Sequence, residues 1–134
     1  MAHKYVLDTH ALVWYLEGSS RLSINAKAVI DAPDNQLVVP LIALTEAVFI
    51  IGRGRTSIPD VSTLLNRVLA DQRIELFPFT WEVFQQSMTA TIIPEIHDRI
   101  IVATALHLQA LGHTVALVTR DGMITQSGLV PIIW

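Results

Sequence analysis

The chain has no cysteine, only two lysines, and charged side chains at just 16% of its 134 positions. Without cysteine, disulfides and thiolate metal sites are excluded, and the default expectation is a cytoplasmic protein. The low charge, together with an apolar fraction of 51%, argues against disorder and favours a compact globule. We therefore expect one folded domain over residues 1–134.

Apolar runs long enough to span a membrane are also missing. The longest, residues 37–51, is interrupted by Pro40, Thr45 and Glu46 and is shorter than the roughly 18 residues that a spanning helix needs. The first residues lead directly into a strand-like run and show no signal-peptide core. We expect no membrane association, and the apolar surplus leaves some surface for a protein partner.

Strand-like runs alternate with helical patterns along the whole chain, without repeats, low-complexity tracts or linkers. The strand-like runs cover residues 5–7, 36–39, 74–77, 114–119 and 130–133. They are too apolar for a sheet with one solvated face. The pattern therefore predicts an α/β fold with a central, mostly parallel five-stranded sheet flanked by helices on both faces.

Several helix ends can be predicted from local signals. Ser23 is a good N-cap for a helix over residues 24–31, which the pre-proline Ala32 should end. Asp60 and Thr80 precede apolar residues at helical spacing, and such stripes are predicted to lie in the core. The stripes consist of Val61, Leu64, Leu65, Val68 and Leu69 after Asp60, and of Trp81, Val83, Phe84 and Met88 after Thr80.

Four carboxylates, Asp8, Glu46, Asp98 and Asp121, stand where apolar runs stop or are interrupted. Asp8 and Asp121 follow buried strands, and open α/β sheets bind ligands at the carboxyl ends of their strands. Carboxylates gathered there repel one another by about 4 kcal/mol per pair, at roughly 4 Å and an effective dielectric near 20, unless a cation or protons intervene. The economical interpretation is a site for a hard divalent cation such as Mg²⁺.

Each acid also has a purely structural interpretation. Asp8 and Asp98 precede helical segments and would serve as N-caps, Asp98 for a helix over residues 99–111. Asp121, followed by glycine, would form a strand-to-helix turn. A single cap or turn of this kind is ordinary, whereas four of them at the ends or faces of buried elements favour a built site.

Glu46 is the hardest of the four to explain structurally, because it is the only formally charged residue between Asp34 and Arg53. Near an apolar face, an unpaired charge is costly. A salt bridge to a distant arginine or metal coordination, direct or through water, would satisfy it. The histidines show no zinc-ligand spacing, and His97 is interpreted as a surface or capping residue.

The formal net charge of -3 opposes nucleic-acid binding, because phosphate affinity comes from lysine and arginine. Without the four candidate acids the charge would be +1, so the remaining surface is close to neutral. Arg99 and Arg120 are weak candidates for phosphate contacts, and the Thr119 hydroxyl could orient a water or a carboxylate. The loop over residues 52–55, with two arginines, is either a solvated helix end or a phosphate or partner contact.

Four segments carry a family resemblance: YVLDTHALVWYLEG, VVPLIALTEAVFIIGRG, HDRIIVATALHLQA and LVTRDGMITQSGLVPIIW. In this order and spacing they resemble the PIN-domain ribonucleases, and within them the VapC-type toxins of toxin-antitoxin pairs. The resemblance implies a PIN-like fold and endonucleolytic hydrolysis of RNA at a Mg²⁺ or Mn²⁺ site. Its ligands would be Asp8, Glu46, Asp98 and Asp121, with Asp121 the least secure of them.

The resemblance also implies partners, namely an RNA substrate, a small antitoxin whose tail occupies the active-site groove, and a second copy in a homodimer. A PIN-type domain with a housekeeping role in RNA processing or RNA binding stays open as an alternative. A response-regulator receiver would also combine magnesium with acids at strand ends. It needs a lysine after a late strand, however, and the only lysines here are Lys4 and Lys27.

Overall fold

A five-stranded sheet, parallel at every pairing, forms the centre of the computed structural model, which describes residues 3–134. The strands are β1 (His3–Leu7), β2 (Gln36–Pro40), β3 (Ile74–Phe77), β4 (Thr114–Val118) and β5 (Ile132–Ile133). The helices are α1 (Thr9–Glu17), α2 (Ile24–Asp31), α3 (Leu41–Gly52), α4 (Val61–Ala70), α5 (Trp81–Ser87), α6 (Ile96–Ala110) and α7 (Gly122–Ser127). The predicted α/β architecture is confirmed.

The order of the strands, β3-β2-β1-β4-β5, determines where a ligand site can form. The chain builds outward from β1 through β2 to β3, and then returns to the other side of β1 for β4 and β5. This reversal leaves a topological switch point between β1 and β4, and open α/β sheets bind ligands beyond the carboxyl ends of the strands at such a point. The order also differs from the 2-1-3-4-5 order of receiver domains, which removes that alternative.

Two apolar cores lie on the two faces of the sheet, because successive strand side chains point to opposite faces. Leu7 and Leu37 pack in the core covered by α1, α2, α4 and the second half of α3. Val6 and Val38, their neighbours along the chain, pack in the core under α6 and α7. Helices therefore flank both faces, as predicted.

Helix α3 belongs to both cores. Ala43, near its start, packs in the core under α6, whereas Ala47 and Ile51 pack in the core under α1. The helix follows β2 directly and contacts both α1 and α6. It thus bridges the two layers at the carboxyl edge of the sheet, with Glu46 between them.

The predicted helix ends are largely correct. Helix α2 has the predicted bounds, and the Ser23 hydroxyl accepts a hydrogen bond from the Ala26 amide at 3.1 Å. Asp60 and Thr80 cap α4 and α5 in the same way. Strand β5 is shorter than predicted because Pro131 precedes it, and proline has no N–H to donate to the ladder.

The predicted burial of α5 is wrong. Only Val83 is buried, whereas Trp81, Phe84 and Met88 are exposed, as is Leu69 on α4. Helix α5 packs mainly against α6, so only one side of this short helix is covered. Across residues 3–134, no helix combines the length and apolar character that crossing a bilayer requires.

A half-buried arginine joins three elements of the α1 layer. The Arg73 guanidinium donates hydrogen bonds to the Tyr15 hydroxyl at 2.9 Å and to Asp71 Oδ2 at 3.1 Å. It also donates to the carbonyls of Ile30 and Ala32 at the end of α2. Partial burial acts to raise the pKa of Asp71, but the hydrogen bonds and charge of Arg73 hold that pKa below its usual value.

We expect Arg73→Met to lower the free energy of unfolding by about 2 kcal/mol, because bonds to a charged donor are lost and buried acceptors remain. Urea denaturation at pH 7 measures this loss. The control is Arg67→Met, which removes an exposed arginine that donates to the Leu16 carbonyl at 2.9 Å, and which should cost less than about 1 kcal/mol. Equal losses in the two variants would show that the Arg73 network adds nothing.

Candidate active site

One pocket at the carboxyl edge of the sheet brings the four candidate acids together. Asp8, Glu46, Asp98 and Asp121 all line it, and its volume is about 520 Å³, within the range of small-ligand sites. Asp8 follows β1 and Asp121 begins the turn after β4, so these two acids flank the switch point. Glu46 comes from α3 and Asp98 from the first turn of α6.

Asp8 is a nearly buried carboxylate with both oxygens hydrogen-bonded. Oδ1 accepts from the Ala11 amide at 2.8 Å, which caps α1, and Oδ2 accepts from the hydroxyl of the fully buried Thr119. Burial raises the pKa of Asp8 despite these hydrogen bonds and nearby His10. The cap interpretation is therefore correct, but it does not preclude metal binding, since each carboxylate oxygen can accept in more than one direction.

Thr119 links the two acids at the switch point. Its hydroxyl donates to Asp8 and accepts from the amide of Asp121 at 3.0 Å. Asp121 in turn caps α7, because its Oδ1 accepts from the Ile124 amide at 2.9 Å. The structural interpretation of Asp121 as a strand-to-helix turn is therefore correct, and the same turn directs it to the pocket.

The salt bridge to an arginine that would satisfy Glu46 is not found among residues 3–134. Thr9 Oγ1 donates to Oε1 at 2.7 Å, and His97 Nδ1 lies 3.6 Å from Oε2. The Glu46 side chain is 34% exposed and lines the pocket. His97, predicted to be a surface or capping residue, also lies 2.9 Å from Glu95 Oε1, so it connects Glu46 to the start of α6.

The prediction that Asp98 caps its helix is wrong. Helix α6 begins at Ile96, and its N-cap is Glu95, whose carboxylate accepts from the Asp98 amide at 2.8 Å. Within residues 3–134, the Asp98 carboxylate has no hydrogen bond or ion pair of its own. Burial raises its pKa to about 6, helped by neighbouring negative charges. Those charges belong to Asp121, Glu95, Glu46 and Asp8.

This donor set suits a hard divalent cation, because it consists of carboxylate oxygens without thiolates. A cation would also relieve the repulsion that raises the pKa of Asp98. In the described part of the chain, no three acidic or histidine side chains converge tightly enough to form a ready-made metal cage. Water would therefore have to complete the coordination, as is usual for Mg²⁺.

Cationic and aromatic side chains share the pocket with the acids. Among them are His10, Trp14, Arg21, Arg120 and Trp134. Of these, only Arg120 was identified from the sequence. His10 and Trp14 lie within two turns of Asp8 on α1, so their proximity could have been predicted from helical spacing. Arg21 and Trp134 carry no local sequence signal, because only the tertiary fold brings them to the pocket.

Arg99, the other predicted phosphate contact, does not line the pocket. Its Nε donates to the Ile93 carbonyl at 2.8 Å, which fastens the start of α6 to the preceding loop. The arginines of the loop over residues 52–55 also lie outside this pocket. Arg53 ends α3 and lies over the Phe49 ring, 5.2 Å from its centroid, in agreement with the helix-end interpretation.

We expect Asp98→Asn to stabilise the metal-free protein above pH 6. The pKa of Asp98 is about 6 in the folded chain against an ordinary 3.8, so the folded state binds more protons between these values. Stability therefore falls as pH rises through this interval, and the loss is complete above it. Asparagine carries no charge and avoids the loss.

Thermal unfolding in EDTA tests this expectation, with a higher Tm for Asp98→Asn than for the wild type at pH 8 and no gain at pH 4. Asp34→Asn, at an exposed position, is the matched control and should leave Tm unchanged at both pH values. A gain for Asp98→Asn that is as large at pH 4 as at pH 8 would refute the electrostatic cause.

Solved structures similar to this chain share its fold. A chain of the VapBC2 complex from Rickettsia felis, bound to a DNA fragment from its promoter, matches with a TM-score of 0.71 and 15% identity, covering 96% of both chains. VapC20 from Mycobacterium tuberculosis, a sarcin-ricin loop cleaving toxin, gives 0.67 and 12%, over 97% of this chain and 99% of that one. A toxin-antitoxin complex from Klebsiella pneumoniae gives 0.62 and 19%, over 87% and 86%.

Sequence comparison identifies the family of the chain. No curated protein sequence matches the chain at a significant level. The family model of the PIN domain, however, matches residues 5–126, a span that begins in β1 and ends in α7 and so includes all four acids of the pocket. The chain belongs to the PIN-domain family.

Proposed function

We propose that this PIN domain is a metal-dependent endoribonuclease that hydrolyses RNA phosphodiester bonds and acts as the toxin of a toxin-antitoxin pair. The observation that carries the proposal is the meeting of four carboxylates, from four separate elements, in one pocket at the switch point of the sheet. Membership of the PIN family supports it. So does the likeness of the fold to VapC20, a toxin that cleaves the sarcin-ricin loop.

The four acids have distinct tasks in this proposal. Asp8 and Asp98 are the principal ligands of Mg²⁺ or Mn²⁺, and Glu46 and Asp121 complete the site directly or through water. When bound, such an ion would activate a water and stabilise negative charge on a phosphate oxygen. Thr119 fixes the orientation of Asp8, and Thr9 fixes that of Glu46, so two carboxylates are held in place before any ion binds.

Two arginines make this acidic pocket compatible with a polyanionic substrate. Arg21 and Arg120 line it beside the acids, and both side chains are exposed. Neither forms an ion pair within residues 3–134, so their charges are available to phosphates. Bound cations would neutralise the carboxylates, so that the positive charge of these two arginines would remain in excess in the pocket.

We further propose that a second copy of the chain and an antitoxin cover exposed apolar surface. Trp81 and Met88 on α5 are 67% and 63% exposed, and Trp81 stacks with Phe84 at a centroid distance of 5.2 Å. Exposed aromatic and methionine side chains are typical of protein interfaces. The similar Klebsiella pneumoniae structure is a toxin-antitoxin complex, which supports an antitoxin as one partner.

We expect the purified protein to cleave RNA only with Mg²⁺ or Mn²⁺. Asp8→Asn or Asp98→Asn should each reduce cleavage at least about a hundredfold, because the loss of a direct metal ligand should exceed the usual effect of losing a residue that only hydrogen-bonds to a ligand. Asparagine still caps helices, so Asp8→Asn preserves α1. Gel analysis of a long RNA measures cleavage, with Asp34→Asn as a control that stays active. Cleavage that persists undiminished in EDTA would rule out the metal mechanism.

Induced expression should arrest bacterial growth for the wild type but not for Asp8→Asn at equal protein levels. The same growth curves separate a toxin from a housekeeping PIN domain, whose overproduction gives no arrest that depends on Asp8. If both forms arrest growth equally, the toxin assignment fails and the effect comes from protein load. If only the wild type arrests growth, mapping of new RNA ends after induction would identify the cleaved sequence.

A further inference from the structure

We propose that Arg120, Trp14 and Trp134 form a stacking platform, a subsite of the pocket that holds an unpaired nucleobase of the RNA beside the acids. This inference rests on the proposed function, because it assigns a second role to the same pocket. A flipped or unpaired base on the platform would position the adjoining phosphate toward the four carboxylates.

The platform is built from ring contacts within the pocket. The Arg120 guanidinium carbon lies 4.8 Å from the centroid of a Trp14 ring, and the centroids of Trp14 and Trp134 lie 5.9 Å apart. All three residues line the same pocket as the acids. Trp14 is only 6% exposed and serves as the floor, whereas Arg120 is exposed and Trp134 partly so.

Arg120 is held close to the acids without being neutralised by them. It lies between Thr119 and Asp121, whose hydrogen bond at 3.0 Å fixes the local backbone. Among residues 3–134, its side chain has no hydrogen bond or ion pair, and its guanidinium lies over the Trp14 ring. Its planar group thus combines an uncompensated charge with an accessible face.

These properties match a base better than a phosphate alone. Proteins that recognise single-stranded RNA stack bases on aromatic rings and on arginine guanidinium planes, and every base offers such a face. A phosphate contact needs only charge and N–H donors, and gains nothing from the neighbouring indole of Trp134. The arginine on Phe49, Arg53, provides an internal comparison, because its cation–π pair lies outside the pocket.

Binding is tested without catalysis, in EDTA and in an Asp98→Asn background. The probes are a labelled seven-nucleotide oligoadenylate and, as an unlabelled competitor without bases, inorganic polyphosphate. Fluorescence anisotropy should show Arg120→Ala and Trp134→Leu binding the oligoadenylate roughly tenfold to a hundredfold more weakly, the usual effect of losing one stacked base. Arg53→Ala is the matched control and should bind as the parent does.

Arg120→Lys separates stacking from charge, because lysine keeps the charge but has no planar group. It should bind almost as weakly as Arg120→Ala, and polyphosphate should compete poorly. Tryptophan fluorescence in a Trp81→Phe background should be quenched by oligoadenylate and not by polyphosphate. Parent-like binding by Arg120→Lys, or equal quenching by both anions, would overturn the platform and leave a simple phosphate contact.

The binding and cleavage experiments together distinguish a failure of the platform from a failure of the nuclease assignment. If the wild type cleaves RNA with Mg²⁺ while the Arg120 and Trp134 variants bind oligoadenylate like the parent, the platform is wrong and the nuclease stands. If the wild type fails to cleave but the variants lose oligoadenylate binding, the platform stands and the endonuclease proposal is wrong.

Discussion

Repulsion among the carboxylates of the pocket is the constraint that the local structure has to meet. The four carboxylates differ in how far neighbouring groups stabilise them. Asp8 is stabilised by an amide and a buried hydroxyl, Asp121 by the turn that it caps, and Glu46 by the Thr9 hydroxyl. Among residues 3–134 the Asp98 carboxylate has no such partner, and burial together with the neighbouring negative charges raises its pKa to about 6. Burial also raises the pKa of Asp8, in spite of its hydrogen bonds. Functional sites commonly retain such locally unfavourable arrangements at some cost in stability.

The topology of the sheet makes this gathering of charge possible. Pairing of β1 with β4 brings Asp8 beside Thr119, which lies 111 residues away along the chain. Two of the pocket's acids follow the buried strands β1 and β4 and cap the next helices, and the other two lie on α3 and α6, so each acid is held by a regular element. The Thr119 hydroxyl at the switch point contacts both acids, because it donates to the Asp8 carboxylate and accepts from the Asp121 amide.

Much of this arrangement could be predicted from the sequence, since it depends on local signals. Apolar runs identified the strands, and Ser23 and the pre-proline Ala32 identified the two ends of α2. The predictions failed where a competing local signal or the tertiary fold decides. Glu95 outcompetes Asp98 as the cap of α6, and α5 exposes an apolar face that periodicity assigned to the core. Trp134 reaches the pocket only through the pairing of β5 with β4, which no local pattern reveals.

The position of α3 between the two cores has a consequence for partly folded chains. Ala43 needs the layer under α6, and Ala47 and Ile51 need the layer under α1, so Glu46 has a defined place only when both layers have formed. A folding intermediate with one completed layer lacks the pocket altogether. The pocket, and any chemistry that it supports, therefore arises only in the completed fold.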